Sequence, residues 1–408
     1  MTLSLPSFRA DQWRIAKHPA KIKVIACGRR WGKTTLIYMI LMSLAALGGH
    51  VAYIVPEYRN GRAMWRMCLQ AVEPLARDRR AFINNSERTI RFVGGGSFGI
   101  YSADNEDSIR GEAFHLVAVD EAPYISQSAW TDAIMPTLAD YNGSAFILGT
   151  PKGQNWFYHE FQRGLSLMNE EQASWNAPSS ANPNPHIQKA FMAARERVSD
   201  RTFRQEWLAQ FIADGGEVFK CVDAVSTGKP GGAPQDGHTY VGGLDWGQET
   251  DYTVLSIFDA AERRQVALYR FNGLQWASQR ARIRDYCTQW RVSVLRPEYN
   301  SIGNPNIEEL RREFHAVHMR CSVQPFNTTN QSKADAVEAL ALEMEKGRVT
   351  LLDDPTQKAE LKAFTSERTP NGATRYAAPS GMHDDTVMAT LIAFDELTHS
   401  RANGGIHI

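Results

Sequence analysis

Short apolar runs alternate with stretches of helical periodicity over about the first 150 residues of the chain. Residues 22–26, 51–55, 89–92, 97–101, 116–119 and 145–148 read as strands. Residues 34–47, 62–76, 128–138 and 156–163 read as helices. Several of the strand runs are apolar at every position rather than at alternate ones, as parallel strands buried on both faces should be. Residues 176–185 (NAPSSANPNP) are dense in Pro, Asn and Ser and read as a loop, with two helices expected after it at 186–197 and 199–211.

Gly215, Gly216 and the stretch STGKPGGAPQDG at 226–237 interrupt the pattern, and a new one opens at Tyr240. It starts strand-rich, at 240–244, 253–258 and 265–270. Helical patterns then alternate with strands at 292–295, 322–325 and 348–351, and a last helix is expected at 383–398. No internal repeat is evident. The pattern predicts an α/β chain in three parts: a nucleotide-binding type of domain at 1–175, a helical lid and linker at 176–237, and a second α/β domain at 238–408.

Composition narrows this picture. A chain of 408 residues favours two domains over one. Lys plus Arg and Asp plus Glu are 45 each, so global charge announces no nucleic-acid partner and any such surface must be local. Arg-rich stretches at 195–204, 280–291 and 311–320 are solvated helix faces by default and backbone contacts in an enzyme acting on DNA. The five Cys show no C-x-x-C spacing, which argues against a zinc site or disulfide framework and fits a reducing compartment. No His/Cys set offers a transition-metal site. The N-terminus lacks the apolar core of an export signal, and the apolar run near 36–47 is too short to span a bilayer. A soluble, cytoplasmic protein with no membrane partner is expected.

Candidate chemistry begins at Ala26-Cys-Gly28-Arg29-Arg30-Trp-Gly32-Lys33-Thr34-Thr35, between an expected strand and an expected helix. Such a loop binds phosphate because its backbone N–H groups and the following helix N-terminus face the anion. Lys33 would reach the β- and γ-phosphates of ATP and Thr34 would hold Mg²⁺. The pattern G-x-x-x-x-G-K-[ST] is met with one departure: Cys27 stands at its first Gly, and Gly28 follows one residue late. About ninety residues downstream, the strand 116–119 runs into Asp120 and Glu121. Asp120 can hold the Mg²⁺ water shell, and Glu121 can orient or deprotonate the attacking water. Alone, this would be a solvated acidic turn; paired with Lys33–Thr34 it points to hydrolysis. Thr150, after the strand 145–148, suits a coupling role between γ-phosphate and the adjoining domain. Arg110 could act as an arginine finger across a subunit interface, with Arg29 and Arg30 as alternative charge stabilisers. Gln12 could read the adenine edge.

The second half carries its own acids. Asp245 ends one expected strand, Asp251 precedes the next, and Glu298 ends the strand at 292–295. Asp384 and Asp385 open the last helix, where spacing does not decide between them. Each alone would be a surface charge or a cap. Together, two strand ends and a helix start can converge on two Mg²⁺ or Mn²⁺ ions about 4 Å apart, the layout of an RNase H-like nuclease. Lys333 opens a helix and could touch a phosphate.

These paired motif sets, GRRWGKTT, LVAVDEAP, GTPKG, GGEVF, GLDWGQETDYTV, RPEYNSIGNPN and HDDTVMA, resemble the large terminase subunit of tailed bacteriophages over nearly the whole chain. The resemblance implies a P-loop ATPase domain followed by an RNase H-like nuclease domain. It implies ATP–Mg²⁺ on Lys33 and Thr34, catalysis by Glu121, coupling through Thr150, a finger near Arg110, and nuclease metals on Asp245, Glu298 and Asp384 or Asp385. It further implies double-stranded DNA, a portal protein and a small terminase subunit as partners. A ring of subunits on the portal and a monomer when free would follow, in the host cell cytoplasm. Two rival readings make different predictions. A translocase or helicase with a nuclease-inactive second domain hydrolyses ATP without nicking DNA; a nucleotide-switched assembly protein hydrolyses slowly and ignores DNA.

Overall fold

The computed structural model describes residues 3–166, 169–213, 217–247, 251–299, 304–368, 374–379 and 381–402. Gly215–Gly216 of the expected boundary, Gln248–Thr250 and Asn300–Gly303 lie outside the described residues. Residues 1–196 and 201–213 form one compact unit; residues 197–200 and 214–369, with the stretch from 373 onward, form the other.

The first unit is built on one sheet of β1 (Ile22–Cys27), β2 (His50–Val55), β3 (Ala81–Asn84), β4 (Thr89–Phe92), β5 (Ser97–Ser102), β6 (Leu116–Val119), β7 (Ser144–Gly149) and β8 (Gln172–Ala177). The order is β3-β4-β5-β2-β6-β7-β1-β8, parallel except for the β3–β4–β5 meander at one end. Alternate side chains feed two cores, as strand periodicity requires. From β1, Ile25 and Cys27 face one side and Val24 and Ala26 the other. On the first side lie α2 (Lys33–Ala46) and α3 (Arg62–Arg77), after the short α1 (Ala10–Ala16). α2 is apolar nearly all round because it is covered on all sides; α3 buries one stripe, Met64, Trp65, Cys68, Val72 and Leu75. α4 (Trp156–Arg163) gives Trp156, Phe157 and Phe161 to the opposite core.

Several elements depart from the sequence pattern. Asn176 and Ala177 are not loop: they end β8, which pairs with β1 from Ile22↔Gln172 to Cys27↔Ala177. The expected helix 128–138 is a π-helical turn, Ala129–Ile134, followed by a 3-10 turn, Met135–Leu138. Pro136 supplies no N–H to continue an α-helical ladder there. After α5 (Pro185–Arg197), the expected helix 199–211 is only α6 (Asp200–Thr202) and a π-helical turn, Phe203–Trp207, and Ala209 with φ 56° stops it.

The second unit opens with α7 (Val222–Val225) and β9 (Ser226–Gly228). Its main sheet comprises β10 (Tyr240–Asp245), β11 (Thr253–Asp259), β12 (Arg264–Phe271), β13 (Val292–Pro297) and β14 (Ser322–Val323), in the order β12-β11-β10-β13-β14. β10–β11–β12 is antiparallel, while β13 and β14 run parallel to β10. α8 (Trp276–Gln289) and α9 (Asn304–Ala316) cover one face. On the other lie α10 (Asn330–Glu345) and, after the two-residue β15 (Leu351–Leu352), α11 (Pro355–Ala363). The expected strand 348–351 thus shrinks to β15, which pairs with β9. A two-stranded ribbon, β16 (Thr365–Arg368) and β17 (Thr374–Ala377), precedes α12 (Asp385–Ala402).

α12 packs directly on β10, and glycine makes this possible: a Cβ on Gly243 would lie 2.3 Å from the Ala389 carbonyl oxygen and the Ala393 nitrogen. A buried polar network ties the same helix down, with Gln357 Nε2 donating to Thr390 Oγ1 at 3.0 Å and Gln265 Nε2 to Ser256 Oγ at 2.9 Å. No described helix is long and apolar enough to cross a membrane.

Candidate active sites

β1 delivers the chain into the 28–32 turn, and α2 leaves it with Gly32 at φ 107°, a conformation that favours glycine. The late glycine has a local cause. A Cβ on Gly28 would sit 2.6 Å from both Ser179 Oγ and the Trp207 carbonyl oxygen, so the loop is pressed against the segment beyond β8. Cys27 needs no such space. Its side chain lies in the core, burial pushes its thiol up to about 12, and its carbonyl turns toward the loop interior.

That carbonyl accepts from Lys33 Nζ at 2.8 Å, and Lys33 also donates to Thr150 Oγ1 at 3.1 Å. Lys33 is 9% exposed, so its charge lies under the loop next to Thr150, which sits at the end of β7. Thr34 Oγ1 donates to Asp120 Oδ2 at 3.4 Å, and Tyr53 donates to the same oxygen at 2.5 Å. The strand ends thus bring Lys33, Thr34, Asp120, Glu121 and Thr150 to the rim of one cleft of about 970 Å³, as β1, β6 and β7 are neighbours and parallel. Arg29, Arg30, Gly32 and Thr35 also line it.

Glu121 has φ 53°, an unusual conformation for a non-glycine residue, and strain of this kind gathers at working sites. Its N–H donates to Asp120 Oδ1 at 2.9 Å. Burial, and then the Asp120 charge, raise its carboxyl above the ordinary value, against the pull of Lys33. A carboxylate poised this way is a better base near neutral pH.

The remaining sequence candidates are placed differently. Gln12 is buried away from the cleft lining; its Oε1 accepts from Arg9 N at 3.1 Å and its Nε2 donates to the Gly32 carbonyl at 3.2 Å. It therefore braces the phosphate loop. Arg29 pairs with Glu206 at 2.6 Å, and Arg30 holds Asn182 through its carbonyl at 2.7 Å. Arg110 is half exposed, pairs with Glu106 at 2.8 Å and is not part of the lining. The sequence reading missed Tyr53, Asn182 and Glu206. Only the tertiary fold carries these to the cleft, and no motif marks them.

In the second unit, Asp245 ends β10 and Glu298 follows β13, its N–H donating to the Leu244 carbonyl at 2.8 Å. Asp385 is the first residue of α12, which packs on β10, so the three acids meet at one end of the sheet. Asp245 is 8% exposed. Burial first, then the charge of Glu298 and a hydrogen bond shared with it, then Asp385 and Asp384, raise its carboxyl well above the ordinary value. Asp384 is engaged by Lys333 Nζ at 3.4 Å, whereas Asp385 Oδ2 accepts no hydrogen bond and faces His383 Nδ1 at 3.6 Å. Asp251 is exposed and adds to the charge around Asp385. Like charges gathered around buried Asp245 suit a cation, which would neutralise them. The donor set, all hard oxygen, fits Mg²⁺ or Mn²⁺.

Among the described residues, His238, Asp259 and Glu262 offer ligand atoms within 4.8 Å of one another. Asp259 is already saturated, though: Oδ1 accepts the Ala261 and Glu262 amides and Oδ2 meets His238 Nδ1 at 2.6 Å. The cluster closes the β11–β12 turn.

Burial, ahead of the Glu360 charge, pushes Asp385 up from 3.8 to about 6. The sign follows from linkage. Below pH 4 the carboxyl is protonated folded or unfolded; as pH rises toward 6 the fold retains a proton the unfolded chain has lost, and stability falls. Cation binding requires the ionised form and reverses this. Mn²⁺ affinity, measured by titration calorimetry between pH 5 and 8, should therefore climb through about pH 6 with proton release. A flat profile would remove Asp385 from the ligand set.

Comparison with known proteins finds matches to both halves of the chain. The family described as terminase large subunit, T4likevirus-type, N-terminal, matches residues 24–223, and the terminase RNaseH-like domain family matches residues 242–397. The terminase large subunit of Thermus virus P23-45 is 28% identical over 424 residues, covering 94% of this chain and 86% of that protein. A solved large terminase from a thermophilic bacteriophage is similar in fold, with a TM-score of 0.58 over 98% of this chain and 100% of that chain at 12% identity. The large terminase nuclease of thermophilic phage G20c, solved with bound magnesium, covers 44% of this chain and 97% of that chain at 26% identity and a TM-score of 0.39.

Proposed function

The chain belongs to the terminase large subunit family, and from that premise we propose that it packages and cuts double-stranded DNA in the cytoplasm of an infected host cell. In this reading ATP hydrolysis in the first unit drives DNA into a procapsid, and the second unit makes the initiating and terminating cuts. A portal protein, a small terminase subunit and further copies of this chain in a ring are its partners.

In the first unit, Lys33 and the 28–32 loop hold the β- and γ-phosphates of ATP, Thr34 and Asp120 hold Mg²⁺, and Glu121 takes the proton of the attacking water. Thr150, already bonded to Lys33, relays the state of the γ-phosphate. Arg110 serves a neighbouring subunit, as its surface position suits. In the second unit Asp245, Glu298 and Asp385 hold the cations, with Asp384 and Asp251 at the edge. When bound, the ions supply charge neutralisation for the attacking and leaving oxygens of a phosphodiester. Lys333 orients Asp384.

The observation that carries the nuclease half is the meeting of buried Asp245 with partly buried Glu298 and Asp385. The test is plasmid cleavage in Mg²⁺ or Mn²⁺ by wild type, Asp245→Ala and Lys33→Ala. Cutting that is lost in Asp245→Ala and kept in Lys33→Ala supports the proposal. No cutting by folded wild type in either metal points to a nuclease-inactive translocase.

A further inference from the structure

A sixth carboxylate stands behind the nuclease acids. Glu360, on α11, is 5% exposed. Its Oε2 accepts from both the backbone N–H of Thr386 at 2.8 Å and Thr386 Oγ1 at 2.5 Å. Thr386 is the residue after Asp385. The first turn of α12 is therefore capped from another helix. Asp384, whose carbonyl accepts the Met388 N–H at 2.8 Å and which occupies the N-cap position, turns its side chain to Lys333 instead.

The other oxygen of Glu360, Oε1, is buried without a hydrogen-bond partner, while Asp385 Oδ2, also without a hydrogen bond, faces His383 Nδ1 at 3.6 Å. Glu360 is also the leading charge acting on Asp385. A buried carboxylate oxygen without a hydrogen bond is costly, so Glu360 Oε1 lacks the partner its burial calls for. A helix cap alone needs only one neutral acceptor, which Gln would provide. A carboxyl group bonded to the backbone beside a ligand is the arrangement by which outer carboxylates orient and strengthen metal ligands.

We propose that Glu360 is a positioning residue of the nuclease centre, holding Asp385 in place through Thr386 and tightening cation binding with its buried charge. The inference rests on the metal-dependent nuclease reading above.

The test uses the full chain with Glu360→Gln and Glu360→Ala, and with Asp245→Ala as reference. Mn²⁺ binding is read by calorimetry, and the Mg²⁺ dependence of plasmid cleavage alongside it. Glu360→Gln keeps the cap and should fold with an unchanged or higher Tm in the absence of metal. Its Mn²⁺ affinity should fall about 10–100-fold, with cleavage recovered at high Mg²⁺. Glu360→Ala should lose both affinity and thermal stability. Wild-type Mn²⁺ affinity in Glu360→Gln reduces Glu360 to a helix cap and overturns the inference alone. Absence of Asp245-dependent Mn²⁺ binding in wild type overturns the nuclease reading, and this inference with it.

Discussion

Glu121→Gln is expected to lower ATP hydrolysis by about 10²–10⁴-fold, the usual contribution of a positioned general base, while ATP affinity stays essentially unchanged. Gln preserves the shape of the side chain and the N–H that bonds Asp120 Oδ1, so the left-handed turn at φ 53° survives. What disappears is the proposed proton acceptor. In the wild type, burial and Asp120 hold that acceptor above the ordinary carboxylate value while Lys33 keeps it ionisable. Lys33→Ala should differ in kind: it removes the cation proposed to hold the phosphates and should weaken binding as well as turnover. Single-turnover hydrolysis beside fluorescent-nucleotide binding separates the two. Hydrolysis by Glu121→Gln near the wild-type rate would mean that another group activates the water, with Asp120 the first suspect.

Much of this was legible in the chain because the chemistry sits at strand ends. The apolar runs 22–26, 116–119 and 145–148 locate β1, β6 and β7, and a parallel sheet places Lys33, Asp120 and Thr150 together without further information. The same logic placed Asp245 and Glu298. Elements held by tertiary contact rather than by their own pattern were not legible. β8, QASWNA, has too few apolar positions to announce a strand; it exists because β1 offers it a free edge. The fragmentation of 199–211 depends on the backbone reversal at Ala209, and nothing in its helical periodicity marks that. Gln12 shows what the sequence leaves out for single residues. An amide ten residues before β1 suits reading adenine, and its contacts to Arg9 and Gly32 follow from how α1 lies on the loop. Glu360 likewise reads as an ordinary acid on a helix until the fold sets it against Thr386.

The nuclease centre gives the other large effect, and here stability and activity should move in opposite directions. If Asp245 anchors the cations as proposed, Asp245→Asn is expected to reduce metal-dependent cutting by about 10³-fold or more, since several kcal/mol of charge stabilisation would depend on them. The same change should stabilise the metal-free protein. Asp245 is raised well above its ordinary value by burial and by Glu298, so the fold disfavours its ionised form. Below the unfolded value of about 4 the carboxyl is protonated in both states and nothing is lost. Above it the unfolded chain ionises freely while the fold holds a proton or an uncompensated charge, so stability declines with rising pH. Asn never carries that charge. In chelator at pH 8 its melting temperature should exceed that of wild type by about 2–4 °C for each kcal/mol relieved. Adding Mg²⁺ should raise the wild type and not the variant, because only a protein that binds the ion gains from mass action. A variant that melts below wild type in chelator would show that ionised Asp245 makes favourable contacts within the fold, and that its burial serves structure rather than a cation.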